Sequence, residues 1–201
     1  AIPAAAALIS FLNLIADPSN EGTVSVSLLD HAKFMHLDTA ALRALNVVPF
    51  TGDGGGGKRA TLYGLLNRTK TPMGSRLLRR WLAQPLQELD SINGRLDVCD
   101  AFINAVDSRG SIRDEHLHRM PDIHLLVRRF TKNGGSKASL QDVVRLYQCS
   151  VRLPYMMKAV ENANSTILND RFAKPLAGFV QELENFEALV ETTIDLDQID
   201  N

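Results

Sequence analysis

Apolar residues in this chain recur three and four positions apart along most of its 201 residues, and that period limits the fold more than any other feature. A spacing of this kind turns one side of a helix toward a core, whereas a half-buried strand needs strict alternation. The segment TKTPMGSRLLRRWLAQPL (69–86) carries the pattern with both of its ends marked. Thr71 has a hydroxyl suited to capping, Pro72 suits the first helical position, and Gln84-Pro85 closes the run about three turns later. A helix over Thr71 to Ala83 is predicted. Met73, Leu77, Leu78, Trp81 and Leu82 share one face, expected to be buried with Trp81 as an anchor, while Arg76, Arg79, Arg80 and Ala83 share another.

Further helices follow from the same rule. The opening AIPAAAALISFLNLIA is apolar throughout and reads as a buried helix; it stops at Asp17, too short to span a bilayer, and no membrane partner is expected. A short helix is predicted near Thr39 to Leu45. A long one starts near Asp90 or Ser91 with Ile92, Leu96, Cys99, Phe102, Ile103 and Val106 as its apolar positions, weakened slightly by Gly94. A short helix spans Ile112 to Leu117. Pro121 opens another, with Ile123, Leu126, Val127 and Phe130 inward, ended by Asn133-Gly134-Gly135. Ser139 and Asp142 have capping-box spacing before Leu140, Val143, Val144, Tyr147 and Val151, and Pro154 stops or kinks that helix. Leu176, Phe179, Val180, Leu183, Phe186 and Val190 form the stripe of an acidic last helix. Val24, Val26 and Leu28 alternate and predict one short extended segment near the N-terminus. The fold class is mainly α, without the strand and helix alternation of a parallel sheet.

Charge is uneven although the net is only −1. Residues 58–86 hold seven basic side chains and no acidic one, between acidic flanks. Intramolecular pairing is therefore available to Arg76, Arg79 and Arg80 without an external polyanion, and a solvated or pairing face is the preferred reading over DNA contact. Cys99 and Cys149 are isolated, which fits a reducing compartment, cytosol or nucleus.

Two motifs mimic chemical sites. Gly52 to Lys58, within the glycine-rich loop 51–58, approaches the phosphate-loop pattern, but Arg59 stands where a hydroxyl must ligate magnesium, and no strand precedes it. His116, His118 and His124 cluster beside Asp114, Glu115 and Asp122 with spacing unsuited to one metal, so they read as surface histidines. No catalytic, cofactor or metal residue is assigned, and the segment itself is expected to be no enzyme.

LYGLLNRTKTPMGSRLLRRWLAQPL, then INGRLDVCDAFI, then MPDIHLLVRRF resemble, in order and spacing, the core or lever domain of the MutS mismatch-repair family. FMHLDTAALRALNV, QDVVRLYQCSVRLPYMMKAVE and ETTIDLDQIDN are most similar to the eukaryotic subfamily that supplies the shared subunit of mismatch-recognition heterodimers. The resemblance covers nearly all of residues 1–201, read as one domain of a longer protein cut before its DNA clamp, an expectation that the absence of an initial Met also favours.

What the resemblance implies is a nuclear parent that binds mismatched duplex DNA, pairs with another MutS homologue, and carries ATP and magnesium in an ATPase domain absent here. This segment is then a structural and coupling element between ATPase and clamp. Thr71, Pro72, Met73, Leu77, Leu78 and Trp81 would build its junction, while Arg76, Arg79 and Arg80 would meet neighbouring domains, acidic helices or, as the lesser reading, DNA. The alternative is an independent helical DNA- or protein-binding module.

Overall fold

The computed structural model describes residues 2–16, 31–50, 60–131 and 135–195. Eleven α-helices are described: α1 (Ile2–Phe11), α2 (Thr39–Ala44), α3 (Leu62–Leu66), α4 (Pro72–Ala83), α5 (Leu89–Asn104), α6 (Val106–Ser111), α7 (Ile123–Thr131), α8 (Leu140–Ser150), α9 (Leu153–Glu161), α10 (Thr166–Leu168) and α11 (Lys174–Thr193). The mainly α reading holds. The extended segment expected at Val24 to Leu28 lies outside the described residues. Among the described ones, β pairing is limited to an antiparallel bridge between Phe34 and Leu86, flanked by bonds from Met35 N–H to Pro85 O (2.8 Å) and from Gln87 N–H to Lys33 O (3.0 Å). That bridge ties the approach to α2 to the exit from α4.

Local chemistry places most helix ends. Ser139 and Asp142 form a full capping box, each side chain accepting from the other's backbone N–H at 3.3 and 3.1 Å. Pro154 sits in the first turn of α9, so the chain stops at Ser150 and restarts at Leu153. α5 begins at Leu89, just before the predicted Asp90 or Ser91, and breaks at Ala105, short of the expected Val106. Arg109 donates to the free carbonyls of Phe102 and Ile103 at 3.0 and 3.2 Å, which satisfies the end of α5. The predicted Ile112 to Leu117 helix forms as a π turn, Ile112–His116, followed by a 3-10 turn. α3 was not expected; its signal is Thr61, whose hydroxyl accepts from Gly64 N–H at 3.1 Å.

Two apolar clusters hold these pieces together. Met120, Cys149 and Leu153 form one, packed by Met73 of α4, Ile123 of α7, Met156 of α9 and three residues of α11. Val160, Leu168 and Ala173 form the other, against Val98, Ala101 and Phe102 of α5. Phe102 and Phe172 meet there at 5.9 Å between ring centres, tilted by 48°.

α1 corrects the sequence reading. It is helical, yet none of its residues is buried, and Ile2 and Phe11 are each 84% exposed. Four consecutive alanines favour helical backbone locally, whereas burial needs an apolar neighbour, and the two clusters do not include α1. No described helix is long and apolar enough to cross a membrane.

Candidate functional site

The basic helix α4 enters the fold through a polar lock. Thr71 Oγ1 accepts from Gly74 N–H at 3.0 Å, and Pro72 occupies the first turn. A Cβ on Gly74 would lie 3.1 Å from that oxygen and 3.4 Å from Thr69 Cβ, so glycine lets the cap close. Tyr63 of α3 bonds Ser75 of α4 through its hydroxyl, and Asn67 donates to both at 2.9 and 3.1 Å. α3 and α4 are thereby joined before any apolar packing is counted.

The apolar stripe of α4 divides. Met73 packs on the Met120, Cys149 and Leu153 cluster, and Leu78 and Leu82 are half-buried. Leu77 and Trp81 are 42% and 40% exposed, which corrects the expectation of a buried Trp81. The Arg95 guanidinium lies 3.9 Å from the centre of the Trp81 ring, covering part of it, and partial burial lowers the Arg95 pKa. Helical period put Trp81 on the correct stripe; only the distance to the next helix decides whether that stripe is covered.

The three arginines have three different surroundings. Arg76 makes a two-pronged bond to Asp122, Nη1 to Oδ2 at 2.8 Å and Nη2 to Oδ1 at 2.7 Å, and its Nη2 lies 3.1 Å from His124 Nδ1. Arg79 donates to Pro49 O at 3.1 Å. The Arg80 guanidinium has no hydrogen-bond or ion-pair partner among the described residues; with Arg76, Arg79, Leu37 and Leu42 it lines an open cavity of about 590 Å³.

Asp122 was missed as a site residue. Its carboxylate accepts from Arg76 and from Leu125 N–H at 3.3 Å, while its carbonyl accepts from Leu126 N–H, so it caps α7 and grips α4 together. The Arg76 hydrogen bonds, outweighing partial burial, hold its pKa down at about 2 and raise that of Arg76. The signal for a cap was the polar residue beside Pro121, but nothing local linked it to an arginine 46 positions earlier.

Under this latch, α4, α7, α8, α9 and α11 surround an apolar cavity of about 640 Å³, lined among others by Thr71, Met73, Met120, Cys149 and Phe179. Burial pushes the Cys149 thiol up and keeps it protonated. Asp142, 1% exposed, accepts from Arg129 at 2.6 Å and from its own capping partner Ser139, whose N–H bond is first among the causes lowering its pKa. Elsewhere Lys70 and Arg113 both pair with Asp114, at 3.4 and 2.6 Å. His116 is half-buried, whereas His118 and His124 are exposed; no group of three or more His, Cys, Asp or Glu suited to a metal occurs among the described residues. The glycine-rich loop 51–58, with Lys58, lies outside the described residues. Two of these pairs, Arg76 with Asp122 and Arg129 with Asp142, join one helix to the next and fix their relative positions.

The sequence pattern of MutS domain III matches residues 40–201. The chain belongs to the MutS family. It is similar to the DNA mismatch repair protein msh-2 of Neurospora crassa, with 42% identity over 205 residues covering all of this chain and 21% of that protein. MSH2 of Arabidopsis thaliana is 38% identical over 207 residues, again all of this chain and 22% of the relative. MSH2 of Saccharomyces cerevisiae is 35% identical over 218 residues, covering 95% of this chain and 22% of the relative. The chain thus spans about a fifth of the length of these MutS-family relatives. The domain III match starts in α2, so the latch and both apolar clusters fall within the MutS region and α1 precedes it.

Proposed function

We propose that this chain serves as a non-catalytic coupling domain of a mismatch-recognition ATPase, carrying nucleotide state between the ATPase and a DNA clamp. The observation that carries the reading is the Arg76 to Asp122 latch over a five-helix apolar junction. A displacement of α4 must either move α7 with it or break a two-pronged ion pair. An ion pair that is either held or broken gives the two helices discrete arrangements, and such elements turn small shifts into rearrangements. On this reading Thr71, Pro72, Met73, Leu77, Leu78 and Trp81 form the junction, Arg76 acts inside the domain, and Arg79 and Arg80 face a neighbouring domain. ATP, magnesium, mismatched duplex DNA and a second MutS homologue are bound by the whole protein, in the nucleus.

The test grafts residues 40–201 into msh-2 of Neurospora crassa in place of the matching segment. The chimaera is expected to bind mismatched duplex and to release it on ATP addition. Arg76→Ala in the chimaera should keep mismatch binding and ATP turnover while slowing ATP-triggered release. Release at an unchanged rate would refute the coupling role. Tight, salt-sensitive duplex binding by the 201-residue chain alone, lost on replacing Arg79 and Arg80 with alanine, would favour an independent DNA-binding module instead.

A further inference from the structure

The outer face of α5 carries apolar side chains that no described residue covers. Leu89, Leu96 and Ile103 recur at intervals of seven and are 67%, 55% and 60% exposed; Val106, just past the break at Ala105, is 60% exposed. The inner face of the same helix, Val98, Ala101 and Phe102, already packs on the Val160, Leu168 and Ala173 cluster. α5 therefore has two apolar sides, and only the inner one belongs to a cluster of the fold. Exposed apolar residues aligned along one helix mark an interaction surface better than the same residues scattered singly.

Charge narrows what fits there. Asp90, Asp97, Asp100 and Asp107 are all exposed, and none of them makes an ion pair among the described residues. Helical geometry, about 100° per residue, sets Asp90, Asp97 and Asp100 along one edge of the Leu89, Leu96 and Ile103 line. The single basic residue of α5, Arg95, is taken up by the Trp81 ring. Arg171 reaches α5 at Gly94, one turn from Asp90 and Asp97, so three aspartates beside one guanidinium leave the border of this apolar seam, about 21 Å long, net acidic.

We infer that this seam docks an amphipathic helix of a partner protein, with apolar residues at heptad spacing and lysine or arginine along the edge that meets the aspartates. A period of seven is what side-by-side helices present to each other, and opposite charges at the border set partner and orientation. The acidic border disfavours nucleic acid. A second copy of this chain laid antiparallel would set acid against acid. The inference is independent of the latch, since neither Arg76 nor Asp122 contributes to this face.

The test uses the 201-residue chain and two synthetic helical peptides with the same leucine heptads, one flanked by lysine and one by glutamate, followed by fluorescence anisotropy. The lysine peptide is expected to bind at least tenfold more tightly, and more weakly as salt rises. Asp97→Lys with Asp100→Lys should reverse the preference, and Leu96→Ser with Ile103→Ser should abolish binding of either peptide. All four positions are solvent-exposed, so circular dichroism should be unchanged in each variant. Cys99, exposed on α5, should be alkylated more slowly with the lysine peptide bound, while Cys149 stays buried as an internal control. Equal affinity for the two peptides, binding insensitive to Leu96 and Ile103, or unchanged Cys99 alkylation would overturn the proposal. So would sedimentation showing that the chain pairs with itself through this face and that Leu96→Ser abolishes the pairing.

Discussion

Asp122 performs two tasks that substitution can separate. It caps α7 through Leu125 N–H and grips α4 through Arg76. Its pKa falls from the ordinary 3.8 to about 2. At about 1.4 kcal/mol per pH unit the ceiling for that shift is about 2.4 kcal/mol. Half of the Arg76 side chain is exposed, so solvent screening brings the expected value to about 1 kcal/mol. Asn caps a helix nearly as well as Asp, so Asp122→Asn should remove the ion pair alone and cost about 1 kcal/mol. Asp122→Ala removes the cap as well and should cost about 2 kcal/mol. Arg76→Ala should shift the midpoint as Asp122→Asn does, and the two together should do no more than either one.

The acid dependence carries a definite sign. A carboxylate with a depressed folded pKa stabilises the fold fully above its unfolded value, and that contribution fades as pH falls toward the folded value. The difference between wild type and Asp122→Asn should therefore be constant from pH 7 to about 5, about half gone by pH 3, and absent below pH 2. Urea unfolding followed by circular dichroism across this range is the assay, and at neutral pH the asparagine variant should melt about 2–4 °C lower. A variant as stable as wild type at pH 7, or a difference that persists unchanged at pH 3, would refute the latch.

Two further outcomes follow from the packing. Trp81→Ala should cost about 1–2 kcal/mol rather than the ~3–5 expected of a buried tryptophan, because its ring is 40% exposed and Arg95 supplies part of its cover; a urea midpoint consistent with more than 3 kcal/mol would show the ring to be buried. Gly94→Ala brings a Cβ to 2.6 Å from Arg171 Nη2, the far end of a flexible side chain, so the gain in helix propensity of about 1 kcal/mol should emerge fully only with Arg171→Ala and be smaller without it, which a double-mutant cycle measures directly.

Features decided within a few residues were legible before any coordinates. Thr71 with Pro72, and Ser139 with Asp142, announce helix starts because a cap closes over three positions and depends on no distant atom. The three-four period likewise set the fold class and assigned Met73 and Trp81 to one stripe. The order of motifs carried the MutS relationship, which was read from LYGLLNRTKTPMGSRLLRRWLAQPL and met again in the domain III match. Burial and pairing behaved differently. Whether Trp81 meets a core, whether the apolar α1 is covered, and which of three adjacent arginines finds a carboxylate depend on elements tens of residues away. Periodicity fixes the direction of a side chain about its helix axis and carries no information about what stands opposite. That was settled by where the Met120, Cys149 and Leu153 cluster holds α4 and the start of α7, which brought Asp122 to Arg76 and left Arg80 without a carboxylate.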